Sequence, residues 1–135
     1  MGKVMAVNIS VKRGTQKVNV HTVKLIENYG LENDAHAGNW HRQVSLLSYA
    51  KGAPVKDGAF GENLIVQGFD FKTLPVGTRL KCNDVILEIT QIGKQCHNGC
   101  EIFKIMGDCI MPREGVFARV IKGGVISEGD EMVYA

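Results

Sequence analysis

The densest group of reactive side chains lies in the segment QIGKQCHNGC, residues 91–100. Cys96 stands in this glycine-containing segment with Lys94 and His97 close by, and Cys100 follows it. The thiolate is the reactive form of cysteine, and neighbouring cations favour it. Glycine gives the backbone the freedom to leave a sulfur atom approachable. The segment therefore predicts a reactive cysteine at Cys96 or Cys100. Packing in the core is the alternative, because cysteine is often fully buried.

A metal site is a second interpretation of the same cysteines. Strong zinc patterns contain two short ligand pairs, whereas here a C-x₃-C spacing is followed by no second tight pair. Cys82 has no comparable polar setting, nor does Cys109, and we predict that both pack in the core. A zinc or iron–sulfur site stays as an alternative, with soft ligands drawn from Cys96, His97, Cys100, Cys109, His36 and His41.

Two arginines follow the cysteine segment. Arg113 precedes a glycine, and Arg119 stands among apolar residues in GVFARV, residues 115–120. An arginine on an apolar strand face is paired with a carboxylate, extends to water or holds an anion. A structural ion pair is one interpretation of Arg119. A phosphate or carboxylate ligand, shared with Lys94 and Arg113, is the other.

A long polar stretch covers residues 27–41 and has no helical period, so we predict a loop. Loops of this length inside a compact domain are usually functional. Its chemistry-bearing residues run into the next segment and are Asp34, His36, Trp40, His41 and Arg42. Asp34 either bonds its own backbone in a turn or belongs to a ligand-binding loop.

The segment FGENL, residues 60–64, predicts a turn that enters a strand. Glu62 and Asn63 would need hydrogen-bond partners if the fold buries them. Taken alone, this short motif indicates little about function.

The elements that must position these residues are mostly strands. Apolar and polar residues alternate with a period of two in several short runs that glycine-containing turns separate. No strand–helix–strand rhythm is present, which argues against a parallel α/β sheet and for a barrel or sandwich. The predicted strands cover residues 5–11, 18–22, 44–49, 63–66, 79–81, 85–92, 116–121 and 131–134, and the best helix candidate covers residues 100–106.

Composition narrows the class of protein. The chain has 135 residues, 44% of them hydrophobic and 22% charged, which is typical of one globular domain. A net charge of +2 gives no sign of nucleic acid or an anionic membrane as partner. No apolar run is long enough to span a membrane, and the N-terminus does not resemble a signal peptide. We therefore expect a cytoplasmic protein whose four cysteines are not structural disulfides.

The ordered set of motifs resembles the MOSC domain, named after the C-terminal domain of molybdenum-cofactor sulfurases. The matching parts are Gly30, Asp34 and His36, then VSLLS at 44–48, GAFGENL at 58–64, Cys96, GVFARV at 115–120, and Gly124 to Asp130. The resemblance spans nearly the whole chain and implies one domain over residues 1–135, with a mainly β, barrel-like fold and one or two short helices. The chain differs from many family members in having Gln95, immediately before Cys96, where they have a proline.

The resemblance also implies a function. It predicts a protein that binds the molybdenum cofactor or molybdopterin and carries sulfur, or ligates molybdenum, through Cys96. The implied pocket wall contains Asp34, His36, Arg42, Glu62, Asn63, Lys94, Arg113 and Arg119. The chain has no room for the pyridoxal-phosphate domain of full sulfurases, so we expect no pyridoxal phosphate. Sulfur must then come from a partner, such as a cysteine desulfurase, or pass to a molybdoenzyme. A carrier without turnover and a structural zinc domain are the alternatives.

Overall fold

A computed structural model describes residues 2–10, 12, 17–35, 37–40, 42–49, 62–92 and 115–135. This part of the chain is mainly β. Its strands are β1 (Gly2–Ile9), β2 (Val18–Asn19), β3 (Thr22–Ile26), β4 (Gly30–Leu31), β5 (Val44–Ser48), β6 (Leu64–Gln67), β7 (Arg79–Cys82), β8 (Val85–Ile92), β9 (Gly115–Lys122), β10 (Gly124–Ser127) and β11 (Glu131–Tyr134), with a short 3₁₀ turn at Phe71–Thr73.

Seven of these strands close into a mixed barrel in the order β11-β7-β8-β9-β5-β6-β1. The pairing of β11 with β1 closes the barrel, and β5 and β6 form its parallel pair. Closure leaves each barrel strand with a partner on both sides, which removes the exposed sheet edges that favour aggregation. The short strand β2 extends the pairing of β1 beyond the barrel.

Alternating side chains fill the barrel. In β7, the exposed Arg79 and Lys81 alternate with the buried Leu80 and Cys82, as a period of two requires. By contrast, β5 is buried at all five positions. The core is almost wholly aliphatic, with aromatic side chains at Phe69 and Phe71.

A second sheet, ordered β10-β3-β4, packs beside the barrel. The fully buried Gln43 joins the two sheets, since its Nε2 donates to Asn28 Oδ1 at 3.1 Å and its Oε1 accepts from the Val120 amide at 2.9 Å. The Asn28 amide in turn donates to the Val120 carbonyl at 2.8 Å. These bonds fix the start of the loop that carries Asp34 and Arg42 against β9.

The structure confirms the predicted mainly β, barrel-like fold. Strands β8 and β11 have the predicted bounds, and β5, β6, β7 and β9 differ from their predictions by one or two residues. The sequence did not indicate β4, which lies inside the predicted loop, β10, or β3 beyond Thr22. Strand β1 begins three residues and ends two residues before its predicted bounds. The helix predicted at residues 100–106 lies outside the described residues. No helix in the described part of the chain is long and apolar enough to cross a membrane.

Candidate functional site

A cluster of buried polar side chains lies where β1 ends and β5 and β6 begin. Asn63 is its centre: its Oδ1 accepts hydrogen bonds from the Ser45 amide at 2.9 Å and the Ser45 hydroxyl at 3.1 Å. Its Nδ2 donates to the Asn8 carbonyl at 3.0 Å. Asn63 thus bridges β1 and β5 at the residue before β6, and it has the partners that its burial demands.

Asn8 occupies the same cluster and is fully buried. Its Nδ2 donates to the Glu62 carbonyl at 3.2 Å, which fixes the orientation of the amide because the opposite orientation would place two oxygens together. Its Oδ1 is buried and has no hydrogen-bond partner among the described residues. An unpaired buried acceptor is costly, so a ligand donor or a water molecule at Oδ1 would stabilise this arrangement. Glu62 itself is fully buried beside it.

A buried ion pair adjoins this cluster. Lys17 Nζ lies 2.7 Å from Asp34 Oδ1, and neither side chain is exposed to solvent. Asp34 Oδ1 also accepts from the Ser10 amide at 3.0 Å, and Lys17 Nζ donates to the Ser10 hydroxyl at 3.2 Å. Asp34 therefore joins the loop after β4 to the end of β1. These contacts reach distant parts of the chain.

Arg42 fastens the other end of the loop to the outside of the barrel. Its Nε donates to Gln91 Oε1 at 3.1 Å, and its guanidinium lies 5.2 Å from the centre of the Phe117 ring. A cation over an aromatic face is attracted by the ring quadrupole. Phe117 is 3% exposed, so the stem and head of Arg42 help to cover it.

Arg119 lies on the same outer face, two residues further along β9. Its side chain is 47% exposed, and its Nη2 lies 3.1 Å from Glu88 Oε2. Alternation does place Arg119 on the face of Phe117, as predicted, but that face points away from the core. Glu88, on the adjacent strand, is thus the carboxylate partner of this guanidinium, in line with the ion-pair interpretation from sequence.

Other predicted site residues lie outside the described residues: Cys96, Lys94, His36 and Arg113, together with His41, His97, Cys100 and Cys109. Cys82 is 1% exposed, which confirms its predicted place in the core. Burial and the nearby Asp130 carboxylate raise the pKa of its thiol to about 11. Within the described ranges, no three His, Cys, Asp or Glu side chains group closely enough to hold a metal ion.

The structure brings three of the five described candidates into two adjoining places. Glu62 and Asn63 share the cluster with Asn8, and Asp34 lies beside it through Ser10. Arg42 and Arg119 lie on the outer face of β8 and β9 instead. Sequence reasoning missed Asn8, Lys17 and Ser45, whose burial depends on partners far away along the chain.

The model of the MOSC domain family matches residues 28–133. The chain belongs to the MOSC domain family. No curated protein matches the sequence significantly.

Solved structures support the same fold. The YuaD protein from Bacillus subtilis is similar with a TM-score of 0.81 and 17% identity, over 98% of this chain and 94% of that one. YiiM from Geobacillus stearothermophilus matches with a TM-score of 0.76 and 18% identity, over 100% of this chain and 75% of that one. YiiM from Escherichia coli matches with a TM-score of 0.66 and 17% identity, over 98% and 69%. At these identities the likeness establishes the fold alone.

Proposed function

We propose that this MOSC protein binds the molybdenum cofactor or its molybdopterin precursor, and that Cys96 carries sulfur or ligates molybdenum. The observation that carries the proposal is the family match over residues 28–133, because MOSC domains are generally linked to this cofactor. The cytoplasm is the proposed setting, since thiols stay reduced there.

The described residues fit one part of such a ligand. A pterin ring presents N–H donors, and Asn8 Oδ1 is a buried acceptor without a partner in the part of the chain that the structure describes. The Glu62 carbonyl accepts from Asn8 Nδ2, which fixes Oδ1 as the acceptor end of this buried amide. Asn63 and Ser45 hold the backbone around Asn8 in place. We therefore assign Asn8 to recognition of the heterocycle, with Lys94 and Arg113 proposed for its phosphate because guanidinium and ammonium groups bind phosphate.

When bound, the molybdenum cofactor would supply redox and sulfur-ligand chemistry at its metal. The protein would contribute the thiol of Cys96. As a thiolate, Cys96 would attack the outer sulfur of a donor persulfide, forming a new S–S bond while the donor leaves as a thiolate. That exchange balances without an added oxidant. A cysteine desulfurase suits the donor role and a molybdoenzyme the acceptor role.

Purification from a host that makes the cofactor tests the proposal. We expect molybdenum or a pterin to copurify, and a mass increase of about 32 Da, one sulfur atom, on the peptide that contains Cys96. Cys96→Ser should abolish the mass increase, whereas the matched control Cys82→Ala should keep it. Protein that carries neither pterin nor molybdenum nor added sulfur would contradict the proposal.

The role of Asn8 has a separate test. Asn8→Leu keeps the number of side-chain heavy atoms but removes the Oδ1 acceptor, together with the Nδ2 donor to the Glu62 carbonyl, so we expect the copurifying pterin to fall. Asn39→Leu, at an exposed asparagine, is the control. Equal pterin content in wild type and a folded Asn8→Leu protein would move the heterocycle away from Asn8.

A further inference from the structure

The outer face of β7, β8 and β9 carries a shared ion pair with an excess of positive charge. Glu88 Oε1 lies 3.1 Å from Arg79 Nε, and Glu88 Oε2 lies 3.1 Å from Arg119 Nη2. One carboxylate thus serves two guanidinium groups, each with five N–H donors. The two arginine side chains are 52% and 47% exposed, whereas the Glu88 side chain is 20% exposed.

A groove opens on this face beside Arg119. It has a volume of about 470 Å³, and its walls include Asn28, Asn39, Trp40 and Thr90, with Glu88 and Arg119 among its lining. The volume falls in the range of about 300–1,000 Å³ that is common for binding sites. Amide and hydroxyl side chains line it together with an indole, a mixture suited to a peptide segment.

The charges around the groove favour an acidic occupant. Arg79, Lys81 and Arg119 share the exposed side of β7 and β9. The acidic groups facing them are Glu88 between the arginines and Glu27, which lines the adjoining hollow with Arg119. Arg42, which lies over Phe117 on the same face, adds a fourth positive charge. Four positive charges against two negative ones leave this face with an excess of two.

The position of the groove relates it to the proposed site. Glu88 and Arg119 are direct cross-strand partners in β8 and β9. Residues 93–114, which include Cys96, connect the end of β8 to the start of β9. Glu88 and Arg119 each lie four residues from those strand ends, or about 13 Å at ~3.3 Å per residue. A protein docked in the groove would therefore lie near the points where the cysteine-bearing segment leaves the barrel.

We propose that this groove, with Arg119 and Arg79 as its anchors, docks an acidic segment of the protein that exchanges sulfur with this one. The inference rests on the proposed function for the identity of the partner. Carboxylates of the segment would accept hydrogen bonds from those guanidinium N–H groups of Arg79 and Arg119 that are not bonded to Glu88. Because these charges are exposed, the contact should weaken as salt concentration rises.

A labelled peptide rich in Glu and Asp, with one Trp, tests the groove against a matched peptide in which Gln and Asn replace the acids. We expect the acidic peptide alone to bind. Arg119→Gln and Arg79→Gln should each weaken its binding about threefold to fivefold, the upper range for exposed ion pairs. Glu88→Gln should strengthen binding, because it frees both guanidinium groups. A merely structural role for Glu88 does not predict that gain.

Lys3→Gln is the control for net charge, since Lys3 is an exposed cation on β1. It should leave peptide affinity within about twofold, as expected for a distant screened charge. Equal binding of the two peptides, equal losses from Lys3→Gln and Arg119→Gln, or weaker binding by Glu88→Gln would overturn the proposal. The titrations use the full chain with Cys96→Ser and no cofactor. Peptide binding can therefore succeed where the persulfide and pterin tests fail, or the reverse.

Discussion

The Lys17 ammonium and the Asp34 carboxylate lie 2.7 Å apart with no exposure to solvent. Lys17 comes immediately before β2, and Asp34 follows β4, so the pair ties two separate loops together. Taking two charges out of water is expensive, and their attraction offsets that cost only while both remain. The hydrogen bonds of both groups to Ser10 add to the compensation.

Replacement of either partner alone should therefore be severe. We expect Lys17→Met or Asp34→Leu to lower the free energy of unfolding by about 3–5 kcal/mol, since each removes the oppositely charged partner of a buried charge. The double variant should cost much less than the sum of the two. Urea unfolding of all four proteins gives the coupling energy. Additive losses would show that the two charges do not stabilise each other.

Asn63 should be a second point of sensitivity. Asn63→Ala removes the partners of the Ser45 amide and of the Asn8 carbonyl. Each buried group left without a partner costs about 1–3 kcal/mol, so the loss of stability should exceed that of a surface change. Asn39→Ala, at an exposed asparagine, provides the comparison by thermal unfolding. Similar melting temperatures for both variants would rule out the bridging role of Asn63.

Local periodicity predicted much of the barrel. Strand β8 alternates buried and partly exposed residues from Val85 to Thr90, and such alternation is visible in the sequence. The second sheet was harder to foresee, because β4 has two residues and is too short to show a period. Its existence depends on pairing with β3 and on the contacts of Gln43.

In the candidate site, too, some features could be predicted from the local sequence, whereas others depend on distant contacts. Asn63 was singled out because its motif leads into a strand, and its burial follows from that place. Lys17 precedes a strand like any surface lysine, and its burial depends on partners elsewhere in the chain, Ser10 and Asp34 among them. For Arg119, alternation correctly predicted that Phe117 lies on the same face of the strand. Whether that face points into or out of the barrel depends on how the barrel closes and on the contact between Arg42 and Phe117, and no local sequence pattern contains this information.

Substitution of Gly30 tests whether steric contacts restrict the backbone where the loop begins. It has a φ of +131°, and a Cβ there would lie 2.7 Å from the Gln43 carbonyl oxygen. Gly77 has a φ of +96°, and none of the described residues comes within 4 Å of its Cβ position. Both Gly→Ala changes should cost the backbone strain of about 1–2 kcal/mol. Gly30→Ala should cost more, in urea unfolding, because backbone blocks its Cβ; equal losses would remove the steric argument.

Cys82 should react far more slowly than Cys96 with iodoacetamide. The pKa of about 11 leaves a thiolate fraction of ~10⁻³ at pH 8, and the thiol is also buried. Brief labelling at pH 8 followed by peptide mapping measures both sites. Labelling in denaturant should remove the difference, which controls for the detection of each peptide. Faster modification of Cys82 than of Cys96 in the folded protein would discard Cys96 as the reactive centre.

Glu128 links the turn after β10 to the start of β3. Its carboxylate accepts a hydrogen bond from Asn19 Nδ2, and its Oε2 lies 3.0 Å from His21 Nδ1. These contacts, that of Asn19 first and that of His21 second, lower the pKa of Glu128. His21 adopts a φ of 68°, uncommon for a residue with a side chain. The carboxylate therefore helps to hold an unfavourable backbone conformation.

The lowered pKa of Glu128 predicts how its contribution depends on pH. A carboxylate whose pKa is depressed by folding stabilises the native state above its unfolded pKa, about 4.3 for glutamate, and loses that contribution as pH falls through the folded value. Glu128→Gln should therefore lower the melting temperature at pH 7 and have a smaller effect at pH 3. The effect should be modest because the group is exposed. Glu32→Gln, at an exposed glutamate, is the matched control and should shift neither melt appreciably. A difference between wild type and Glu128→Gln that stays constant from pH 7 to pH 3 would show that the carboxylate charge is not what holds this turn.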